Sequence, residues 1–68
     1  MILSKADEAK IDRYVKRFRN PEAHRERVIQ IIQMSSQECT QDDIVQEVKR
    51  NMAYVDEVRM WSRREGLW

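Results

Sequence analysis

The chain has 68 residues, 41% of them hydrophobic and 37% charged, with thirteen Lys and Arg against twelve Asp and Glu for a formal net charge of +1. A chain this short makes one domain at most and buries only about 60% of the surface its unfolded form exposes, so its core must be efficient or shared with a partner. The near balance of charge excludes a protein that holds nucleic acid by net charge alone and leaves only the placement of its bases to do so.

One Gly and one Pro among many Glu, Gln, Lys and Arg favour helix over strand. A first helix is predicted after Ser4, which is followed three residues later by Asp7 in the spacing of a capping box, with Asp in place of Glu. Ile11, Tyr14, Val15 and Phe18 then fall on one apolar stripe. Acids come early (Asp7, Glu8, Asp12) and bases late (Lys16, Arg17, Arg19), the order the helix dipole favours. Asn20-Pro21 stops this helix and caps the next, since proline suits a first helical position and disfavours helix at the residue before it.

The second helix is expected from about Pro21 to about Ser36, with Val28, Ile29, Ile31, Ile32 and Met34 at its centre. That face is wide for a surface helix and suits either the most buried element of the domain or a contact with a second subunit. After the polar link SSQECT, Thr40 with Asp43 repeats the capping spacing and opens a short helix from Gln41 to about Lys49, with Ile44, Val45 and Val48 inward. The fourth helix starts near Asn51 or Met52 and carries Tyr54, Val55, Val58 and Trp61. Gly66 sits where a helix stop is expected, and Leu67 can fold back after it. No period-two alternation competes with these stretches. The expected fold class is all-α, a small four-helix domain over residues 1–68, with an N-terminal amphipathic helix over 1–20 joined to a helical unit over 21–68.

Nothing approaches the run of about 20 apolar residues that spans a bilayer, and Met1–Leu3 is too short for a signal peptide. A single cysteine, Cys39, excludes an internal disulfide and a multi-cysteine zinc site, so the chain reads as a cytoplasmic protein with a free thiol. His24 stands alone among charges near a helix start and reads as a surface side chain. Paired carboxylates, a phosphate-cradling glycine loop and metal-ligand spacing are all missing. No catalytic residue, cofactor or metal is therefore expected, and the chain is not read as an enzyme.

From Arg25 onward the order is long apolar helix, polar link, short capped helix, tight connection, second helix. The stretch RERVIQIIQMSSQECTQDDIVQEVKRNMAYVDEVRMWSRREGL resembles the tri-helical helix-turn-helix domains of bacterial and phage transcription regulators. In that family a short helix crosses the DNA backbone and the next inserts its N-terminal half into the major groove. The resemblance implies a recognition helix at about 52–64, with Ile44, Val45, Val48, Val55 and Val58 where the family packs the two helices together. Lys49 stands where the family usually has a turn glycine, Arg50 where it usually has an apolar residue. Asp56 and Glu57 fall on or near the groove-facing side, where a carboxylate accepts from cytosine but repels phosphate.

The implied function is a small DNA-binding transcriptional regulator, its partner double-stranded DNA and its state a homodimer joined through the Val28–Met34 face or the first helix. Lys49 and Arg50 would meet phosphate, Asn51 would read an adenine edge or cap its helix, and Tyr54 would touch sugar-phosphate or pack inward. Arg59 and Arg63 complete the expected DNA-binding set. On the first helix Lys10, Arg13 and Arg17 share one side, with Lys16 and Arg19 beside them; such a stripe is a phosphate face or, more commonly, the solvated side of a helix. Glu22, Arg25, Glu26 and Arg27 read as surface ion pairing. The alternative function is an all-α protein–protein interaction module, a phage-type inhibitor or adaptor that binds no DNA. Its contacts would be Trp68 and Met60, with Met52 beside them, since Trp anchors interfaces and Met suits adaptable ones.

Overall fold

Caps define the elements. In the computed structural model, which describes Leu3–Trp68, Ser4 and Asp7 exchange side-chain-to-backbone bonds of 3.1 and 3.2 Å and open α1, Lys5–Val15. Met1 and Ile2, which supply most of the apolar start, lie outside the described residues. Pro21 opens α2, Pro21–Ser36; Thr40 opens α3, Gln41–Val48; and Asn51 opens α4, Met52–Arg64. The described residues form no strand, and the chain is all-α.

Two boundaries depart from the sequence reading. First, α1 ends at Val15, before Phe18: the Arg17 and Phe18 N–H groups bond back three residues to the Tyr14 and Val15 carbonyls, at 3.4 and 3.0 Å. Phe18 leaves the stripe to lie flat on the His24 ring, with centroids 4.1 Å apart. Second, Asn20 occupies the cap position of α2 but its side chain makes no cap bond. Its ψ of 84° departs from the 157–168° of Ser4, Thr40 and Asn51, so its amide is not aimed at the free N–H groups. At α3 Thr40 accepts from the Asp43 N–H at 3.2 Å.

α2 is the central helix and packs on each of the other three, while α3 packs on α4. Ile11, Tyr14 and Val15 from α1 meet Val28, Ile31 and Ile32 from α2, and Ile44, Val48, Val55, Val58 and Leu67 close the other side of one core. The wide apolar face of α2 is thereby covered within the chain: Val28, Ile31 and Ile32 are fully buried, and Ile29 and Met34 pack partly buried against the same core. A subunit contact through Val28, Ile31 and Ile32 is not available. Val45, half-buried, takes less part in the α3–α4 packing than Ile44 and Val48.

Three helix ends turn through left-handed residues. Glu38 (φ 63°) and Gly66 (φ 73°) close Schellman motifs, with Cys39 N–H to Met34 C=O at 3.1 Å and Leu67 N–H to Ser62 C=O at 2.9 Å. Lys49 (φ 57°, ψ 42°) ends α3 with a single bond from its N–H to the Val45 carbonyl at 3.0 Å. No helix among the described residues is long and apolar enough to cross a membrane.

Candidate nucleic-acid interface

The α3–α4 connection is short because each helix terminates sharply. Lys49 takes the left-handed conformation that the glycine of the resembled family would supply, and Arg50 leads directly to Asn51. The Asn51 Oδ1 accepts from the Tyr54 N–H at 2.8 Å, so its oxygen serves as the cap of α4 and its amide NH2 alone is left for a partner. Lys49, Arg50 and Asn51 are all exposed, at the N-terminal and partially positive end of α4.

Tyr54 turns inward. Its hydroxyl lies 2.8 Å from His24 Nδ1, and its ring sits among Phe18 and His24, with the Arg50 guanidinium 5.7 Å from its centroid. Burial raises the Tyr54 pKa above its ordinary value, an effect that the charges of Arg27 and Arg50 oppose. Burial, then the same two arginines, lower the pKa of His24. The reading of His24 as a plain surface side chain is therefore corrected: Phe18 and Tyr54 come together from the α1–α2 turn and α4 and enclose it.

Of the mixed charges on α2, Arg25 does form ion pairs at the surface, but with another helix. Arg25 reaches across to α1, with Nε to Asp12 at 2.7 Å and Nη2 to Glu8 at 3.1 Å. Arg27 faces His24 and Tyr54, and its Nη1 is buried without a hydrogen-bond partner. The corner of α4 thus gathers three bases, Arg27, Lys49 and Arg50. Sequence spacing could put Arg27 beside His24 on α2 but not beside Tyr54, which lies on α4.

Glu57 is turned toward α1. Its carboxylate pairs with Arg17 at 3.2 Å, both side chains more than half exposed. Asp56 remains on the outer face of α4, one wall of a cleft of about 180 Å³ shared with Arg59, Met60, Arg63 and Trp68. Arg59 and Arg63 lie far along α4 from Lys49 and Arg50 and place their guanidinium groups 5.3 and 5.4 Å from the Trp68 ring centroid. Arg59 also donates to Gln41 Oε1 at 3.2 Å, so it is held against α3. The expected DNA-binding set therefore divides into a corner group and a distal pair.

Trp68 is half-buried, and its indole N–H donates to the Ser62 hydroxyl at 2.8 Å. Ser62 is fully buried and donates in turn to the Val58 carbonyl at 2.6 Å. This clamp was legible in part: Val55, Val58 and Ser62 share one helical stripe, and a polar residue on a buried stripe calls for a partner. Met60 and Met52 are exposed, at 56% and 53%. Trp61 stacks on Tyr14 at a centroid distance of 3.9 Å. Among the described residues no three His, Cys, Asp or Glu side chains gather where they could share a metal ion. No protein-family model, curated protein or solved structure matches the chain.

Proposed function

We propose that this chain is a small DNA-binding regulator that lays the N-terminal half of α4 in the major groove of double-stranded DNA. The observation that carries the reading is the Lys49 corner: a left-handed residue joins two helices that share a core and leaves Lys49, Arg50 and the Asn51 amide exposed at the start of the second. Bases at a helix N-terminus are suited to phosphate, and the pairing of Glu57 with Arg17 offsets part of the charge of one of the two carboxylates that oppose it. The proposal includes a homodimer in the cytoplasm, since one module with so few base contacts discriminates weakly. Its contact lies outside Val28, Ile31 and Ile32.

The test is fluorescence anisotropy of a labelled random-sequence duplex at about 50 and then about 200 mM salt, a range over which phosphate contacts lose most of their strength. Binding should fall steeply with salt. With Lys49→Ala and Arg50→Ala together, the slope of log affinity against log salt should shrink by up to about 1.8, two phosphate contacts. No binding at the lower salt would sink the reading.

A second reading rests on Met52 and Met60, exposed on α4 with Asp56 between them. In that reading α4 presents an adaptable apolar strip to a protein, as an inhibitor or adaptor would. Met60→Asp should then abolish capture of the partner while leaving the fold intact; unchanged capture would remove this strip from consideration.

A further inference from the structure

We infer that α1 is a second contact for nucleic-acid phosphate, with Arg13 as the ligand and Lys10 and Arg17 as the residues that secure it. The inference rests on the DNA-binding reading and extends it to a helix outside the tri-helical unit.

Lys10 and Arg13 stand one turn apart on α1 and Arg17 follows in the turn after it, with Lys10 and Arg17 reaching toward α4 and its cap. Lys10 Nζ donates to the Glu65 carbonyl at 3.2 Å, Arg17 pairs with Glu57 at 3.2 Å, and between them Tyr14 stacks flat on Trp61. These contacts anchor the stripe at both ends and in the middle. Lys10, Arg13, Tyr14, Arg17, Trp61 and Glu65 line a cleft of about 200 Å³ along this seam.

Arg13 differs from its two neighbours. It is exposed, lines the cleft, and makes neither an ion pair nor a side-chain hydrogen bond among the described residues. Lys10 has a carbonyl and Arg17 a carboxylate; Arg13 has five N–H donors and no acceptor. Two acids, Glu57 and Glu65, border the same seam: Arg17 pairs with the first, while Lys10 holds only the main-chain carbonyl of the second, so three cations face two carboxylates and leave a local excess of one positive charge. A planar guanidinium held beside one more cation suits a phosphate, which it can engage with two parallel bonds.

The position also fits the partner. With the N-terminal half of α4 in the groove, α1 flanks the C-terminal half, from Glu57 to Glu65, beyond the bases that α4 itself would meet. The corner bases Lys49 and Arg50 meet the backbone at the start of α4; Arg13 meets it farther along. Such a contact carries no sequence information and fixes the register of α4 on the duplex.

The experiment is salt-dependent anisotropy on a random duplex with Arg13→Gln, and with Lys5→Gln as a control for bulk charge, since Lys5 is exposed on the same helix outside the cleft. Arg13→Gln should lower affinity about tenfold at about 50 mM salt and reduce the slope by about 0.9, the release of one phosphate contact. Lys5→Gln should leave the slope within error of the wild type. If Arg13→Gln leaves it unchanged, or if the two variants lose equally, the inference falls while the corner reading stands on its own variants. If the wild type binds no duplex, the DNA reading falls and takes this inference with it. Circular dichroism of both variants, which alter only exposed side chains, should match the wild type.

Discussion

Gly66, Glu38 and Lys49 take the same left-handed turn, and only one of them has the side chain suited to it. A Cβ on Gly66 would meet nothing within 4 Å, so the penalty of Gly66→Ala is purely conformational, about 1 kcal/mol, and should appear as a lower melting temperature. The converse holds at Glu38, where Glu38→Gly relieves strain in an otherwise complete Schellman motif. It should raise stability by about 0.5–1 kcal/mol, measured by urea titration. Lys49 tolerates the same strain, and its exposed ammonium at this left-handed corner fits the proposed phosphate contact.

His24 carries a pH dependence of defined sign. Its folded pKa lies below the ordinary 6.5 because burial and the Arg27 and Arg50 charges disfavour the imidazolium. Below pH 6.5 the unfolded chain therefore binds more protons at this residue than the folded one, so stability rises with pH in that window. The contribution is fully present above pH 6.5 and is lost as pH falls through the folded pKa. Melting temperatures at about pH 7.5 and 5.5 should differ more for the wild type than for His24→Gln. Equal differences would mean that His24 does not titrate between the two states.

At the scale of the elements, no helix here is autonomous. α3 has eight residues, well short of the ~12–15 at which isolated helices become even marginal in water, so it exists because Ile44 and Val48 are buried against α2 and α4. α1 is held by its buried stripe, by the Tyr14–Trp61 stack and by Arg25 of α2, which bridges Glu8 and Asp12. The Arg25 pairs are partly exposed, so Arg25→Ala should lower stability by only about 0.5–1 kcal/mol. The difference from wild type should narrow in about 1 M salt, where the Debye length falls to ~3 Å. A loss that persists unchanged in high salt would point to packing of the Arg25 stem instead.

The molecule as a whole has a small reserve. A domain of this size is stable by roughly 3–10 kcal/mol, and removing the buried Ile32 side chain beyond Cβ should cost about 2–5 kcal/mol. Ile32→Ala should therefore melt at least about 8 °C below the wild type by circular dichroism, whereas Met60→Ala, at an exposed site, should melt with the wild type. One core serves all four helices, and α2 at its centre is the element no change can loosen without releasing the other three.

The four helices, most of their caps and most of the residues that face inward were legible in local sequence patterns. These depend on interactions within about four residues along the chain: Ser4 with Asp7, Asn51 with Tyr54, and the spacing of Val55 and Val58. Tertiary structure decided what the polar side chains do. His24 meets Tyr54 across 30 residues, Arg17 meets Glu57 across 40 and Lys10 meets Glu65 across 55. No local pattern encodes such a meeting, because it depends on how whole helices are set against each other by the apolar core. For the same reason Glu57 could be placed on α4 from the sequence, but its direction, toward α1 and away from the outer face, came only with the packing of Tyr14 on Trp61 beside it.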